Sequence, residues 1–338
     1  MKRLCSYDLI RIIAIFAVII IHVSAEFWYG EINNTWLAVN FINSFVHAWA
    51  VPLFITLSGA LMLRDKEKEI PLNKILKVYL PKMIFVLIIW HYIYDIYTYK
   101  AINFEILINS TKNLLNGNSY SHLWYLYLTI GLYFLTPLLN KLVNSLTKKE
   151  LEFYLIIGFI ISLGIPFINS ILSLNIGVIF DKMYVVKFHS YLLYYILGFY
   201  LRNITIKKAK LLYLFSIFSL GLLILCCLLS NYISIDKNIQ FTLSIETNIS
   251  GLFIVISIFL LAKEKIKFES NFINTMGKIT FGTYLIHFIV EKTILEFIPK
   301  TINTTLHILL ISILVFIISY IISYVISKTP VLKKIINL

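Results

Sequence analysis

Long apolar segments separated by short polar stretches run through the whole chain. Ten of them stand out, at about 8–28, 38–63, 78–99, 121–141, 151–170, 188–201, 211–230, 241–262, 279–297 and 302–327. Most reach the roughly 20 residues that an α-helix needs to cross a bilayer. The pattern therefore predicts an all-α, polytopic membrane protein with about ten transmembrane helices, in which residues 1–338 form a single integral membrane domain.

The composition supports this class. Hydrophobic residues make up 59% of the chain, and the mean hydropathy is +0.84. A soluble fold cannot remove that much apolar surface from water. The net charge of +13 does not indicate nucleic-acid binding, because the basic residues lie in short loops between apolar segments, where topology signals are found.

The distribution of positive charge predicts the orientation. If the N-terminus is cytoplasmic, 23 of the 30 lysine and arginine residues fall on the cytoplasmic side, as the positive-inside rule expects. An even number of spans then returns the C-terminus to the same side. We expect a multi-pass protein of the cell (cytoplasmic) membrane with both termini in the cytoplasm.

Two ionisable residues interrupt the first apolar segment. Arg11 and His22 are eleven positions apart, so at 100° per residue their side chains point in nearly the same direction, about 16 Å apart along the helix axis. Ionisable groups inside a bilayer are costly and mark functional sites by default. The shared face therefore makes this pair the first candidate for chemistry.

Each group on this face suits a different task. Arg11 can hold an anion through a bidentate fork, and His22 can act as a general base near neutral pH. Glu26 follows His22 by four residues, so it can lie beside the imidazole and orient it. Taken singly, Arg11 could also extend to the inner headgroups, and His22 could be a structural hydrogen-bonding residue.

Motifs in five segments carry a resemblance to a known family. They are Arg11 and His22 with ten residues between them; VPLFITLSGALML with Pro52, Phe54, Ser58 and Gly59; SHLWYLYLTIGLYFLTPLL; YYILGFYL; and GKITFGTYLIHFIV with Tyr284 and His287. Together they resemble the acyltransferase 3 family of integral membrane acyltransferases, and the likeness runs from end to end. Ser58 and Gly59 are expected to permit close helix packing.

The resemblance implies a function. Family members take an acyl group, commonly acetyl, from a cytoplasmic acyl-CoA and place it on a hydroxyl of a surface carbohydrate or its lipid-linked precursor. The chain is similar to the stand-alone glycan O-acetyltransferases. The implied partners are acetyl-CoA as acyl donor, membrane lipid and a sugar acceptor, without nucleic acid. No metal is expected, because the His22–Glu26 spacing lacks a third ligand.

Further candidates are less central. Some family members carry an Arg-x-x-Arg pair after the second helix, whereas this chain has Arg64, Lys66 and Lys68, which could still meet the phosphates of coenzyme A. The candidates for substrate binding are His47, Trp124, Glu246 and His287. The pair of His91 and Asp95 is predicted to lie at the surface.

A second class of function remains open. The same polar face could form the path of a transporter that exports a polysaccharide or moves a small molecule. The sequence leaves undecided the acceptor sugar, the acyl chain, the oligomeric state, and whether His22 acts as a base or carries the acyl group itself.

Overall fold

The computed structural model describes residues 4–101, 103–172, 190–206, 208–244, 247–298, 304–330 and 332–336. Within these residues the secondary structure is entirely helical, without a strand. The α-helices of eight or more described residues are α1 Cys5–Ala25, α2 Asn34–His47, α3 Ala50–Met62, α4 Leu80–Tyr99, α5 Phe104–Leu115, α6 Trp124–Ser145, α7 Lys148–Phe159, α8 Ile165–Leu172, α9 Ser190–Asn203, α10 Ala209–Lys237, α11 Ser250–Lys265, α12 Asn271–Phe297 and α13 Thr304–Lys328. The all-α prediction is confirmed.

Six helical stretches of the described chain are long and apolar enough to cross a membrane. They are Cys5–Ala25, Asn34–Met62, Ser121–Ser145, Lys148–Leu172, Ala209–Lys237 and Thr304–Lys328. Large apolar side chains cover their outer faces; on α10, for example, Ile217 is 69% and Leu225 61% exposed. Such a surface suits lipid rather than water, and it indicates a multi-pass membrane protein. The count of ten spans and the cytoplasmic location of the termini stay predictions.

Helix α1 lies at the centre of the bundle. It contacts α2, α3, α11, α12 and α13, and Ile10, Ala14, Ile15 and Ile19 on it are fully buried. A helix surrounded by other helices can keep polar side chains away from lipid. This placement makes α1 suitable for carrying Arg11 and His22.

Two glycines let α3 and α9 touch through their backbones. A Cβ atom added to Gly59 would lie 1.8 Å from the carbonyl oxygen of Tyr195, and one added to Gly198 would lie 1.9 Å from that of Thr56. Small residues at helix crossings allow this approach in membrane proteins, where van der Waals packing is the main attraction. The packing role predicted for Gly59 is confirmed.

Two predicted spans contain irregular backbone. The segment 38–63 divides into α2 and α3, with a break at Ala48 and Trp49. In the segment 241–262 the described residues 241–244 and 247–249 are not helical, and the helix begins at Ser250. Its prediction as one helix from residue 241 is therefore wrong. The Phe241 carbonyl accepts hydrogen bonds from Asn40 Nδ2 at 3.1 Å and from Ser230 Oγ at 3.0 Å, and these polar partners satisfy the non-helical backbone.

Helix α5 is an element that the apolar pattern did not predict. It is attached to α4, because Ser110 Oγ on α5 donates to the Asp95 carboxylate, and His91 Nε2 lies 2.9 Å from the Ser110 carbonyl oxygen. The side chains of His91 and Asp95 are 1% and 10% exposed. The prediction that this pair lies at the surface is therefore wrong, because α5 covers it.

Basic side chains close several helix ends. Arg202 Nη1 at the end of α9 donates to the carbonyl oxygens of Ala60 at 2.9 Å and Leu63 at 2.6 Å, where α3 ends. Lys263 Nζ on α11 donates to the Leu201 carbonyl at 3.0 Å. The last carbonyls of a helix lack partners within the helix, and cationic donors complement them.

Candidate active site

A cavity of about 470 Å³ opens between α1, α3, α6 and α12. Its lining combines apolar side chains of α3, such as Val51, Phe54 and Leu57, with polar groups on the other three helices. Ligand sites have this composition: an apolar wall with a few convergent polar groups. The cavity is therefore the place to look for chemistry.

Arg11 and His22 both line this cavity, with Val18 between them on the same face of α1. Three of the residues that line the cavity thus come from one helix at positions 11, 18 and 22, a spacing that a 3.6-residue period produces. The structure thus places Arg11 and His22 on one face of α1, as the sequence predicted, and both side chains border the same cavity.

Asp8 holds the guanidinium of Arg11 in position. The Arg11 Nη1 atom is paired with Asp8 Oδ1, and the Asp8 side chain is fully buried while that of Arg11 is 26% exposed. Gly277 on α12 makes room for the carboxylate, since a Cβ there would lie 2.4 Å from Asp8 Cγ. A buried partner of this kind fixes the direction of an arginine fork.

Three imidazoles meet at the other end of the cavity. The ring centroid of His22 is 5.2 Å from that of His287 and 6.2 Å from that of His122, and the latter two are 5.4 Å apart. His287 Nδ1 contacts the carbonyl oxygen of Tyr284. Because a carbonyl only accepts, Nδ1 carries the hydrogen of the neutral ring and Nε2 keeps its lone pair.

Glu26 is engaged elsewhere than predicted. Its carboxylate is paired with Lys292 on α12, so the structure does not place it as the hydrogen-bonding partner that orients the His22 ring. Lys292 also lies 5.1 Å from the centroid of the Phe288 ring. The pairing joins the end of α1 to α12 beside the three imidazoles.

The predicted substrate-binding residues fall in different places. Trp124 lines the cavity, is 38% exposed, and has its ring centroid 5.5 Å from that of Tyr191. His287 is fully buried in the imidazole cluster. His47 is the last residue of α2 and lies outside the cavity lining found in the described chain, while Glu246 lies outside the described residues.

The predicted donor-binding loop lies beside the cavity rather than in its wall. Arg64 Nε donates to the Leu61 carbonyl at 3.1 Å, and Lys66 and Lys68 are exposed on a 3-10 turn. Arg64, Lys66 and Lys68 are not among the described residues that line the cavity. Lys278, which the sequence did not single out, does line it.

Several cavity residues escaped the sequence analysis. Tyr125 and Tyr133 on α6 line the same cavity as Arg11 and His22 on α1. Asp8 had a usable signal, since it precedes Arg11 by three residues and therefore lies on the same face of α1.

Within the described residues, no group of three or more His, Cys, Asp or Glu side chains is arranged to hold a metal ion.

Comparison with known families identifies the chain. The model of the acyltransferase 3 family, described as an acyltransferase domain, matches residues 6–324. The chain belongs to this family, and it is a multi-pass membrane acyltransferase. No curated protein and no solved structure matches it.

Proposed function

We propose that the protein transfers an acyl group, acetyl in the first instance, from cytoplasmic acyl-CoA to a hydroxyl of a cell-surface carbohydrate or its lipid-linked precursor. The observation that carries this proposal is the single cavity that contains both Arg11 and His22. Family membership supports acyl transfer to a hydroxyl. The shape of the cavity suggests how donor and acceptor meet.

The donor would enter at the Arg11 end. Arg11 and Lys278 both line the cavity, and two cations suit the anionic phosphates of coenzyme A. Arg11 and His22 are about 16 Å apart along the helix. An extended pantetheine arm is of similar length, so a thioester anchored near Arg11 would reach His22. Arg64, Lys66 and Lys68 remain candidates for an outer contact with the nucleotide.

The chemistry would take place at His22. Its imidazole removes the proton of the acceptor hydroxyl while the hydroxyl oxygen forms a bond to the thioester carbonyl carbon. The C–S bond then breaks, and the thiolate of coenzyme A takes the proton from the imidazolium. Trp124, which is exposed at the cavity and packed beside Tyr191, provides an aromatic face for a sugar ring.

A reconstituted assay tests the proposal directly. We expect purified protein in lipid nanodiscs to convert labelled acetyl-CoA and a cell-surface glycan into an O-acetyl ester, detected by mass spectrometry. Surface glycans from cells with and without the protein should differ by the same ester. Uptake of a solute into vesicles without ester formation would favour the transporter instead.

Replacement of Arg11 by lysine tests the donor end of the cavity. Arg11→Lys keeps the charge and loses the bidentate fork, so we expect the KM for acetyl-CoA to rise about tenfold with little change in kcat. Steady-state kinetics at varied donor concentration measure both constants. Lys141→Gln, which removes an exposed charge on α6, is the control; an unchanged KM in Arg11→Lys would contradict the clamp.

A further inference from the structure

His122 has an unusual environment inside the bundle. Its side chain is 2% exposed, and within the described residues neither ring nitrogen has a hydrogen-bond partner. Burying an imidazole without partners costs free energy. A buried polar group that stays unsatisfied in this way needs an explanation, and a substrate that supplies the partner is one.

The ring of His122 is nevertheless held firmly. It stacks on Phe288 with the centroids 4.9 Å apart and meets Tyr94 edge-on at 4.6 Å. The Tyr284 hydroxyl donates to the backbone carbonyl of His122. Apolar packing thus fixes the plane of the ring while leaving its nitrogens unengaged.

The same ring lines the cavity together with His22. A neutral imidazole always carries one N–H group, so His122 is a residue of the cavity wall whose donor has no protein partner in the described chain. Its ring centroid is 6.2 Å from that of His22. A donor fixed in advance beside a general base is the arrangement that stabilises the oxyanion of an acyl transfer.

We propose that His122 is a further catalytic residue, which donates its N–H to the thioester carbonyl oxygen during acyl transfer. The inference rests on the proposed function. As the acceptor oxygen bonds to the carbonyl carbon and His22 takes its proton, the C=O electron pair moves onto oxygen, and His122 donates to that oxygen. When the C–S bond breaks, the pair returns to the carbonyl and the thiolate takes the proton from His22.

The chain offers a matched control. His307 on α13 is 1% exposed, and within the described residues both of its ring nitrogens lack partners. Its ring packs against Phe27 with the centroids 5.2 Å apart. It lies outside the cavity lining found in the described chain, so it reports the effect of replacing a buried imidazole without touching the cavity.

The first test compares His122→Phe with His307→Phe in the nanodisc assay. Phenylalanine keeps an aromatic ring between Phe288 and Tyr94 and lacks the donor. We expect kcat to fall about 100-fold in His122→Phe, as for loss of one oxyanion donor, with the KM for acetyl-CoA nearly unchanged. His122→Gln, which keeps an N–H, should recover part of the rate, and His307→Phe should behave like the wild type.

The outcomes separate the two proposals. If the wild-type protein forms no ester, the proposed function fails and this inference fails with it. If the wild type is active and His122→Phe is equally active, or if His307→Phe loses as much kcat, the inference alone is overturned.

A spectroscopic test does not depend on turnover. A hydrogen bond to the carbonyl lowers its stretching frequency. Acetyl-CoA with a ¹³C-labelled carbonyl, bound to the His22→Ala protein, should therefore absorb at lower frequency than the same donor bound to a protein that also carries His122→Phe. Adding His122→Phe should raise the stretching frequency of the bound donor; an unchanged band would contradict donation by His122.

Discussion

Replacement of His22 by alanine is expected to abolish acyl transfer while folded protein remains in the membrane. The imidazole lines the cavity, and loss of a general base costs typically 10²–10⁴-fold. We expect a fall of about 1,000-fold in the initial rate, measured with labelled acetyl-CoA at equal amounts of inserted protein. The effect should appear in kcat, because the Arg11 end that anchors the donor is unchanged.

The comparison needs a variant of similar volume. His22→Gln keeps a polar side chain in the cavity but cannot take a proton near neutral pH, so it should be as inactive as His22→Ala. Unimpaired transfer by either variant would remove His22 from the mechanism. Loss of monodisperse protein on size-exclusion chromatography would instead report a structural effect, which the volume-matched variant is chosen to minimise.

The second large effect is expected at the α3–α9 crossing. In Gly198→Ala the new methyl carbon would lie 1.9 Å from the Thr56 carbonyl oxygen, so the two helices have to separate. Overpacking of this kind costs about 1–3 kcal/mol and occasionally more, and a crossing made of two backbones leaves little room for adjustment. Thermal unfolding in detergent should show a clearly lowered Tm.

Gly221 provides the matched substitution. It lies on α10, and a Cβ atom there would meet nothing within 4 Å. Gly221→Ala should leave the Tm unchanged or raise it slightly, because alanine is the better helix former by about 1 kcal/mol. Equal stability of the Gly198 and Gly221 variants would show that the crossing tolerates separation.

The sequence predicted helices well where an apolar run was long. The first segment, 8–28, corresponds to Cys5–Ala25. A long apolar segment in a bilayer has to satisfy its own backbone hydrogen bonds, and a helix does so. The same reasoning failed at 241–244 and 247–249, because an apolar composition does not distinguish a helix from irregular chain whose carbonyls have partners, as the Phe241 carbonyl has in Ser230. It also missed Phe104–Leu115, whose mixed composition has no long apolar run.

The sequence likewise predicted one part of the candidate site and not the other. The common face of Arg11 and His22 follows from helix geometry alone, so the sequence was sufficient. The approach of His122 and His287 to His22 depends on how three helices pack, which local spacing does not encode. For Glu26 the i, i+4 rule named a partner on its own helix, but Lys292 on α12 offers an opposite charge instead.

The helix ends closed by Arg202 and Lys263 affect how mutational studies of topology are to be interpreted. Basic residues in loops can help to orient a nascent chain during insertion, and Arg202 and Lys263 bind carbonyl oxygens in the folded protein. Neutralising either residue removes these contacts from the folded protein, whatever its effect on orientation. A reporter fused to a loop could then register misassembly where inversion was intended. An exposed lysine outside the proposed donor contacts, such as Lys149, is the better position for charge-swap experiments.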